Sequence, residues 1–300
     1  MSLWIPVTIA AAIFQTLRFM LQKHLSRAQL SAAGATFARF LYSAPLVAVL
    51  LMAYLAWSGQ ALPSLSFAFW AYGATGGVAQ VLATVCVVML FKERNFAVGI
   101  TFKKTEVIQT VFVGLIVLGE GVSWLGFAAI FVGLIGVLLL SDPPGQDGAW
   151  IRRIANRAAG LGLVSGVFFA ISGVCYRGAS LEIASADPLL RAGVTLSAVT
   201  MMQLLGMALW LFVREAGQIT AVWRARNVAG WIGLTSMAGS MCWFTAFTLQ
   251  TAAYVNAVGQ IELIFSLLAS ALFFRESISR REIAGIAVLA VSIMMLILLI

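Results

Sequence analysis

The chain has 300 residues, of which 62% are hydrophobic and only 10% are charged. Soluble domains carry about 25% charged residues, so this composition excludes a soluble globular fold. The formal net charge of +8 lies in short loops and not on a basic soluble module, which argues against nucleic-acid binding.

Long apolar runs predict membrane-spanning helices. In lipid a spanning segment must satisfy its own backbone hydrogen bonds, and these runs lack the alternating pattern of a membrane β-barrel. About 20 apolar residues cross a hydrocarbon core about 30 Å thick. The sequence therefore predicts an all-α membrane protein with ten transmembrane helices, at 3–22, 32–57, 66–91, 96–118, 122–141, 158–180, 187–213, 227–250, 254–274 and 281–300.

The charges in the loops predict the orientation in the membrane. Thirteen Lys and Arg residues fall on one side of the predicted bundle, whereas Arg177 is alone on the other. Loops rich in Lys and Arg stay on the cytoplasmic side. We therefore expect a multi-pass protein of the cell membrane, the inner membrane in a Gram-negative host, with both termini on the non-cytoplasmic side.

An internal repeat divides the chain into two halves. At an offset of 156 residues, segment 97–120 aligns with segment 253–276, so that Glu106 meets Glu262 and Glu120 meets Glu276. Five predicted helices at 1–141 precede a Pro-, Gly- and Arg-containing cytoplasmic linker at 142–157, and five follow at 158–300. An odd number of helices per half makes the second half enter the membrane from the opposite face. This predicts a 5+5 inverted repeat around a central cavity, an architecture typical of transporters.

The duplicated ten-helix plan and the two Glu-x13-Glu patterns, which end in Gly119-Glu120 and Arg275-Glu276, resemble the drug/metabolite transporter superfamily. Within it the chain is most similar to the EamA-type exporters, including the amino-acid exporters called YddG. The resemblance implies a basket of ten helices whose cavity is lined mainly by spans 1, 3, 4, 6, 8 and 9.

The chain departs from this family at two positions. In the family, a proline often follows the glutamate in the middle of the helix, whereas Val107 and Leu263 occupy those places here. A helix break next to either glutamate therefore does not follow from the sequence.

The fourth span contains three ionisable residues, Lys103, Lys104 and Glu106, of which Lys103 and Glu106 are candidates for the cavity. Glu106 lies about 15 Å from the start of its span, near the membrane midplane. Lys103 shares its helical face at i,i+3, so the two can pair or present both signs to a zwitterionic ligand. In the alternative interpretation, Lys103 and Lys104 extend to the cytoplasmic surface and Glu106 bonds a neighbouring helix.

Glu262 is the corresponding carboxylate of the ninth span. No cation lies within one helical turn of it, so its partner comes either from another helix or from a ligand. Arg39 and Arg191 are predicted to enter the membrane at opposite faces. Each of them either has a structural role or gates one end of the cavity.

Polar and aromatic side chains at helical spacing complete the candidate set. Trp243 is the only Trp near the centre of a span, and an aromatic wall with a few polar groups suits a partly apolar solute. Packing between helices is the competing interpretation, above all for the two phenylalanines. The predicted binding residues are Lys103, Glu106, Glu262, Trp243, Gln80, Thr84, Ser240, Gln109, Phe14 and Phe168.

These patterns predict a secondary transporter that exports neutral amino acids, aromatic ones included, or related metabolites by alternating access. Efflux of drugs, nucleosides or sugars is the alternative. The chain lacks the HExxH and GxSxG motifs and has one histidine, His24, so an intramembrane enzyme is a remote alternative. We expect a small-molecule substrate and the lipid bilayer as partners, with no metal and no cofactor, and the oligomeric state stays open.

Overall fold

A computed structural model describes residues 2–28, 30–93, 103–140, 157–273 and 280–299. This part of the chain is all-helical. Its α-helices are α1 Trp4–Ala28, α2 Ala32–Ser58, α3 Phe67–Glu93, α4 Glu106–Leu118, α5 Trp124–Leu140, α6 Arg157–Leu181, α7 Pro188–Arg214, α8 Gln218–Arg224, α9 Arg226–Leu249, α10 Ala252–Val258, α11 Glu262–Phe273 and α12 Arg280–Leu299.

Within the described residues, seven helical stretches are long and apolar enough to cross a membrane, and three further apolar helices are shorter. They overlap the ten predicted segments, but that all ten cross the membrane stays a prediction. Large apolar side chains point outward, as shown by Phe67, Trp124 and Ile116, which are 88%, 87% and 81% exposed. Soluble monomers rarely expose apolar patches of this extent, so the outer surface suits lipid.

Local chemistry explains several helix ends. The Ser31 hydroxyl accepts a hydrogen bond from the Gly34 N–H at the start of α2, and the Asp187 carboxylate accepts one from the Leu189 N–H at the start of α7. Gly59 and Gly119 end α2 and α4 with φ angles of 67° and 66°. This left-handed conformation favours glycine, which has no Cβ to clash.

The helices of the two halves interleave. α1 packs along α9, α3 along α6, α2 along α7, and α5 along α12, so each of these contacts joins a helix of the first half to one of the second. The core between them contains Val107, Val174, Tyr176 and Phe244, all at most 2% exposed.

Some predictions fall outside the described residues. They concern the linker at 142–156, the start of the fourth span at 96–102, and Glu276, the repeat partner of Glu120. The predicted loop between the seventh and eighth spans contains the short helix α8.

Candidate functional site

A cavity lies between the two halves, in the middle of the helices. The space not filled by atoms is about 450 Å³ when the open space at its mouth is included. Its wall combines charged, amide, hydroxyl and aromatic side chains, the mixture typical of a binding pocket. The lining residues are Gln15, Arg39, Gln80, Lys103, Glu106, Phe169, Ser172, Gly173, Tyr176, Ser240, Trp243, Phe244, Phe247 and Asn256.

A buried cluster of two lysines and two glutamates forms one side of this cavity. Lys103 Nζ lies 3.0 Å from Glu262 Oε2, and Lys104 Nζ lies 2.6 Å from the same oxygen. Lys104 Nζ also lies 3.5 Å from Glu106 Oε1. Glu262 is in the second half of the chain and both lysines are in the first, so the ion pairs of this cluster link the two halves.

Lys103 was predicted to pair with Glu106 on the same helix. In the structure it pairs instead with Glu262, in the other half of the chain. Residues 104 and 105 form a turn and α4 begins only at Glu106, so the i,i+3 geometry of a continuous helix is lost. Lys103 and Lys104 are each 1% exposed, so the alternative interpretation in which both extend to the surface is wrong. Lys104 is the main charged residue that the sequence analysis left out of the site.

Interrupted helices explain how the cluster forms. The ninth span divides into α10, a 3-10 turn at Gly259–Ile261, and α11, which begins at Glu262. The carbonyl oxygen of Gly259 accepts a hydrogen bond of 3.1 Å from Lys104 Nζ. Glu106 and Glu262 thus each begin a helix after an irregular turn, although neither is followed by proline. Gly259 was the available sequence signal for the break.

The first helix adds polar groups to the cluster. Gln15 Nε2 donates to Glu262 Oε2 at 2.9 Å, and Arg18 Nη2 donates to Gln15 Oε1 at 3.4 Å. Arg18 is 2% exposed and its guanidinium carbon lies 4.4 Å from the ring centre of Phe19. Lys103 Nζ lies 4.9 Å from the ring centres of Phe19 and Phe169, within the range of cation–π attraction.

Arg39 enters the cavity from α2 on the side of α9. Its Nε donates to Ser236 Oγ at 2.7 Å and its Nη2 donates to Ser240 Oγ at 3.0 Å. The side chain is 2% exposed, so it is more enclosed by protein than its place near the start of α2 indicated. Ser240, one of the predicted binding residues, is thus in contact with an arginine.

Aromatic rings form the opposite wall. Tyr176 stacks on Phe244 with 4.4 Å between ring centres, and Trp243 stacks on Phe247 at 5.7 Å. The Tyr176 hydroxyl donates to Gln80 Oε1 at 3.0 Å, which fixes the ring by a polar contact as well as by packing.

The structure brings six of the ten predicted residues to this region. Gln80, Lys103, Glu106, Ser240 and Trp243 line the cavity, and Glu262 lies directly behind Lys103.

The other four predicted residues are elsewhere. The Thr84 hydroxyl bonds the backbone oxygen of Gln80, and Phe14 packs against Gly239 of α9. Gln109 faces Gly166 of α6, while Phe168 lines an apolar groove between α3 and α6. Gln15 and Asn256, both polar residues near the middle of spans, are lining residues that the sequence analysis missed.

A second ionic contact lies where α4, α6 and α9 end. Arg177 Nε lies 2.7 Å from both carboxylate oxygens of Glu120. Its Nη1 donates to the carbonyl oxygens of Phe247 and Gln250 at 2.7 and 2.8 Å. One guanidinium therefore ties together the ends of three helices.

Comparison with known proteins agrees with this architecture. Residues 156–298 match the model of the EamA-like transporter family. A solved crystal structure is similar over 97% of this chain and 99% of its own, with a TM-score of 0.65 and 15% sequence identity, which supports the fold alone. No curated protein matches the sequence significantly. The second half of the chain is thus similar to a family of membrane transporters.

Proposed function

We propose that this protein is a secondary transporter of the drug/metabolite transporter superfamily that moves a small solute through the central cavity by alternating access. The observation that carries the proposal is a cavity with charged and aromatic walls between two sets of apolar helices, one of which matches a transporter family. Ionisable side chains in the hydrocarbon cost at least about 2.5–3.5 kcal/mol each on insertion scales, so a bundle without a polar ligand gains little from retaining them.

The packing of the helices supports a 5+5 inverted repeat of ten spans. An inverted repeat makes the first span equivalent to the sixth, and the third equivalent to the eighth. The contact of α1 with α9 and the contact of α3 with α6 are then the same contact in opposite orientation. α2 with α7 and α5 with α12 are each a span paired with its own equivalent. Exchange of the two conformations between such halves opens the cavity to the other side.

The irregular turns before Glu106 and Glu262 support the same scheme. Both turns come at equivalent positions of the repeat and both place a carboxylate at the start of a helix near the cavity. Interrupted spans at equivalent positions are a recurring feature of binding sites in secondary transporters.

For the cargo we propose neutral amino acids, aromatic ones included, or related metabolites. A zwitterion requires groups of both signs, which Arg39, Lys103 and Glu106 supply. The stacked rings of Trp243 and Phe247 suit an apolar or aromatic side chain. Drugs, nucleosides and sugars are the alternative cargo.

The loop charges support an orientation in the cell membrane with both termini on the non-cytoplasmic side. In this orientation the cavity opens alternately to the cytoplasm and to the exterior. The direction of net transport then depends on the concentration gradient of the cargo.

Counterflow of radiolabelled amino acids in proteoliposomes tests this function. We expect saturable uptake that is reduced at least about tenfold in Glu106→Gln, Lys103→Ala and Glu262→Gln, since each substitution upsets the balance of two positive and two negative charges in the buried cluster. Glu182→Gln, at an exposed residue that bonds Ser66, is the matched control and retains uptake. Counterflow of nucleosides or drugs in place of amino acids would favour the alternative cargo, and absence of counterflow for all of these solutes would contradict the transporter function.

A further inference from the structure

Two hydrogen-bond donors in the cavity wall have no acceptor among the residues that the structure describes. They are Nη1 of Arg39 and Nε1 of Trp243. Both residues line the same cavity, and both atoms are buried. A buried donor without a partner is destabilising, the more so on a charged group. Because both groups can only donate, the missing partner must be an acceptor.

Arg39 is held in place by neutral groups. Its two hydrogen bonds go to the hydroxyls of Ser236 and Ser240, which fix the guanidinium but do not neutralise it. No carboxylate in the described part of the chain lies within 4.0 Å of it, whereas the other two ionisable lining residues have charged partners. Lys103 pairs with Glu262, and Glu106 lies 3.5 Å from Lys104.

Among the described residues that line the cavity, Arg39 is therefore the one whose charge has no ionic partner; Arg18, also buried, is outside this lining. A single negative group balances the charge of Arg39, and a carboxylate supplies one charge with two acceptor oxygens.

The other side chains of the cavity wall indicate the chemistry of the rest of the ligand, beyond its negative group. Beside Arg39, the rings of Trp243, Phe244 and Phe247 present flat apolar surfaces. Asn256 also lines the cavity, and one of the two N–H groups of its Nδ2 donates to the Thr110 hydroxyl.

We propose that Arg39 binds the carboxylate of the transported solute, that the indole N–H of Trp243 is a further donor to it, and that the solute is a small organic acid or amino acid with a flat apolar portion. This inference rests on the proposed transport function and adds the chemical group that the site selects. The amino group of an amino acid is then a secondary feature, recognised by Glu106.

Three probes that share a phenyl ring separate these contributions: 3-phenylpropionate has only the carboxylate, 2-phenylethylamine only the amine, and L-phenylalanine has both. Binding to the purified full-length protein is measured by isothermal titration calorimetry. We expect 3-phenylpropionate and L-phenylalanine to bind, and 2-phenylethylamine to bind at least about tenfold more weakly, since a charge-assisted hydrogen bond is lost.

Variants of the two donors test the site itself. Arg39→Gln should weaken the binding of 3-phenylpropionate by about tenfold or more, and Trp243→Phe, which removes the indole N–H but keeps an aromatic ring, by about threefold or more. Arg191→Gln is the matched control, because Arg191 is outside the cavity and donates to the backbone oxygen of Ser180. Its affinity for the probe should equal that of the original protein.

Three results would overturn the inference: no binding of either carboxylate probe to monodisperse protein, equal affinity for the amine, or unchanged carboxylate affinity in both variants. Counterflow of a solute without a carboxylate, unaffected by Arg39→Gln, would refute the carboxylate site and leave transport intact. Arg39-dependent binding without any counterflow would support the site and refute transport.

Discussion

Lys104 Nζ lies 2.6 Å from Glu262 Oε2, and neither side chain is exposed. The two residues come from different halves of the chain, so this ion pair links the two halves. Glu262 also accepts hydrogen bonds from Lys103 and Gln15. One carboxylate thereby holds together groups from α1, from the segment before α4, and from α11.

We expect Glu262→Gln to be strongly destabilising. The substitution leaves two buried ammonium groups with one remaining carboxylate, Glu106, at 3.5 Å from one of them. Loss of one partner of a buried ion pair costs about 3–5 kcal/mol in the free energy of unfolding. Unfolding by a titration of SDS in mixed micelles measures the change, with Glu182→Gln as the exposed control. A variant that unfolds at the same SDS fraction as the control would contradict the bridging role.

We expect Arg177→Lys to loosen the ends of three helices. A lysine ammonium is a point charge and cannot reproduce the planar fork that serves the Glu120 carboxylate and the carbonyls of Phe247 and Gln250 together. The expected loss is about 1–3 kcal/mol in the free energy of unfolding. Arg191→Lys is the control, since Arg191 has a single backbone acceptor there. Equal losses in the two variants would show that Arg177 is no more than an ordinary surface contact.

The start of α7 should make stability depend on pH. Partial burial favours the neutral form of Asp187, but hydrogen bonds from Tyr54, Gln60 and the backbone N–H of Leu189 outweigh it and lower the pKa of its carboxyl group. The ionised cap therefore adds stability that is fully present above the unfolded pKa of about 3.9 and is lost as the pH falls through the lower, folded pKa.

The melting temperatures of the original protein and of Asp187→Asn, measured from about pH 6 down to about pH 3, check this dependence. Asparagine also caps helices, so the variant retains the backbone contact without the charge. The original protein should melt higher at the upper end of this range, and the gap should shrink toward the lower end. A gap that stays constant would contradict the role of the charge.

We expect Gly259→Ala to disturb the cavity. A Cβ atom at this position would collide with the ring of Trp243, and the backbone there belongs to the 3-10 turn that accepts the bond from Lys104. Overpacking of this kind costs about 1–3 kcal/mol and should also lower the affinity for cargo. In Gly230→Ala, the control, the added Cβ has no heavy atom within 4 Å. Unchanged stability and cargo binding in Gly259→Ala would show that the Trp243 ring moves aside without cost, and would contradict this prediction.

The positions of the helices could be predicted because hydropathy is a local property of the chain. The ends of α2 and α7 likewise follow from residues next to them, Ser31 and Asp187. Charge pairing was not predictable in this way. Lys103 and Glu106 are neighbours only if the helix continues through both, and the turn at residues 104 and 105 removes that condition.

Arg39 shows a second reason why the site was harder to predict from the sequence than the helices were. Its distance from the start of α2 indicated a shallow position, but exposure depends on what packs around a residue and not on depth alone. Ser236 and Ser240 of α9, which lie 197 and 201 residues later in the chain, enclose it. Long-range packing of this kind has no signal within a single segment.

Access to the cavity from both faces of the membrane tests the account most directly. Ser172 lines the cavity and is 3% exposed, so Ser172→Cys, in a protein whose Cys86, Cys175 and Cys242 are replaced by alanine, reports its opening to a membrane-impermeant thiol reagent. Ser64→Cys, in an exposed loop, is the control and should react from one face only. Alternating access predicts that Ser172→Cys reacts from either face and that saturating cargo slows both reactions. Reaction from one face alone, or from neither, would contradict it.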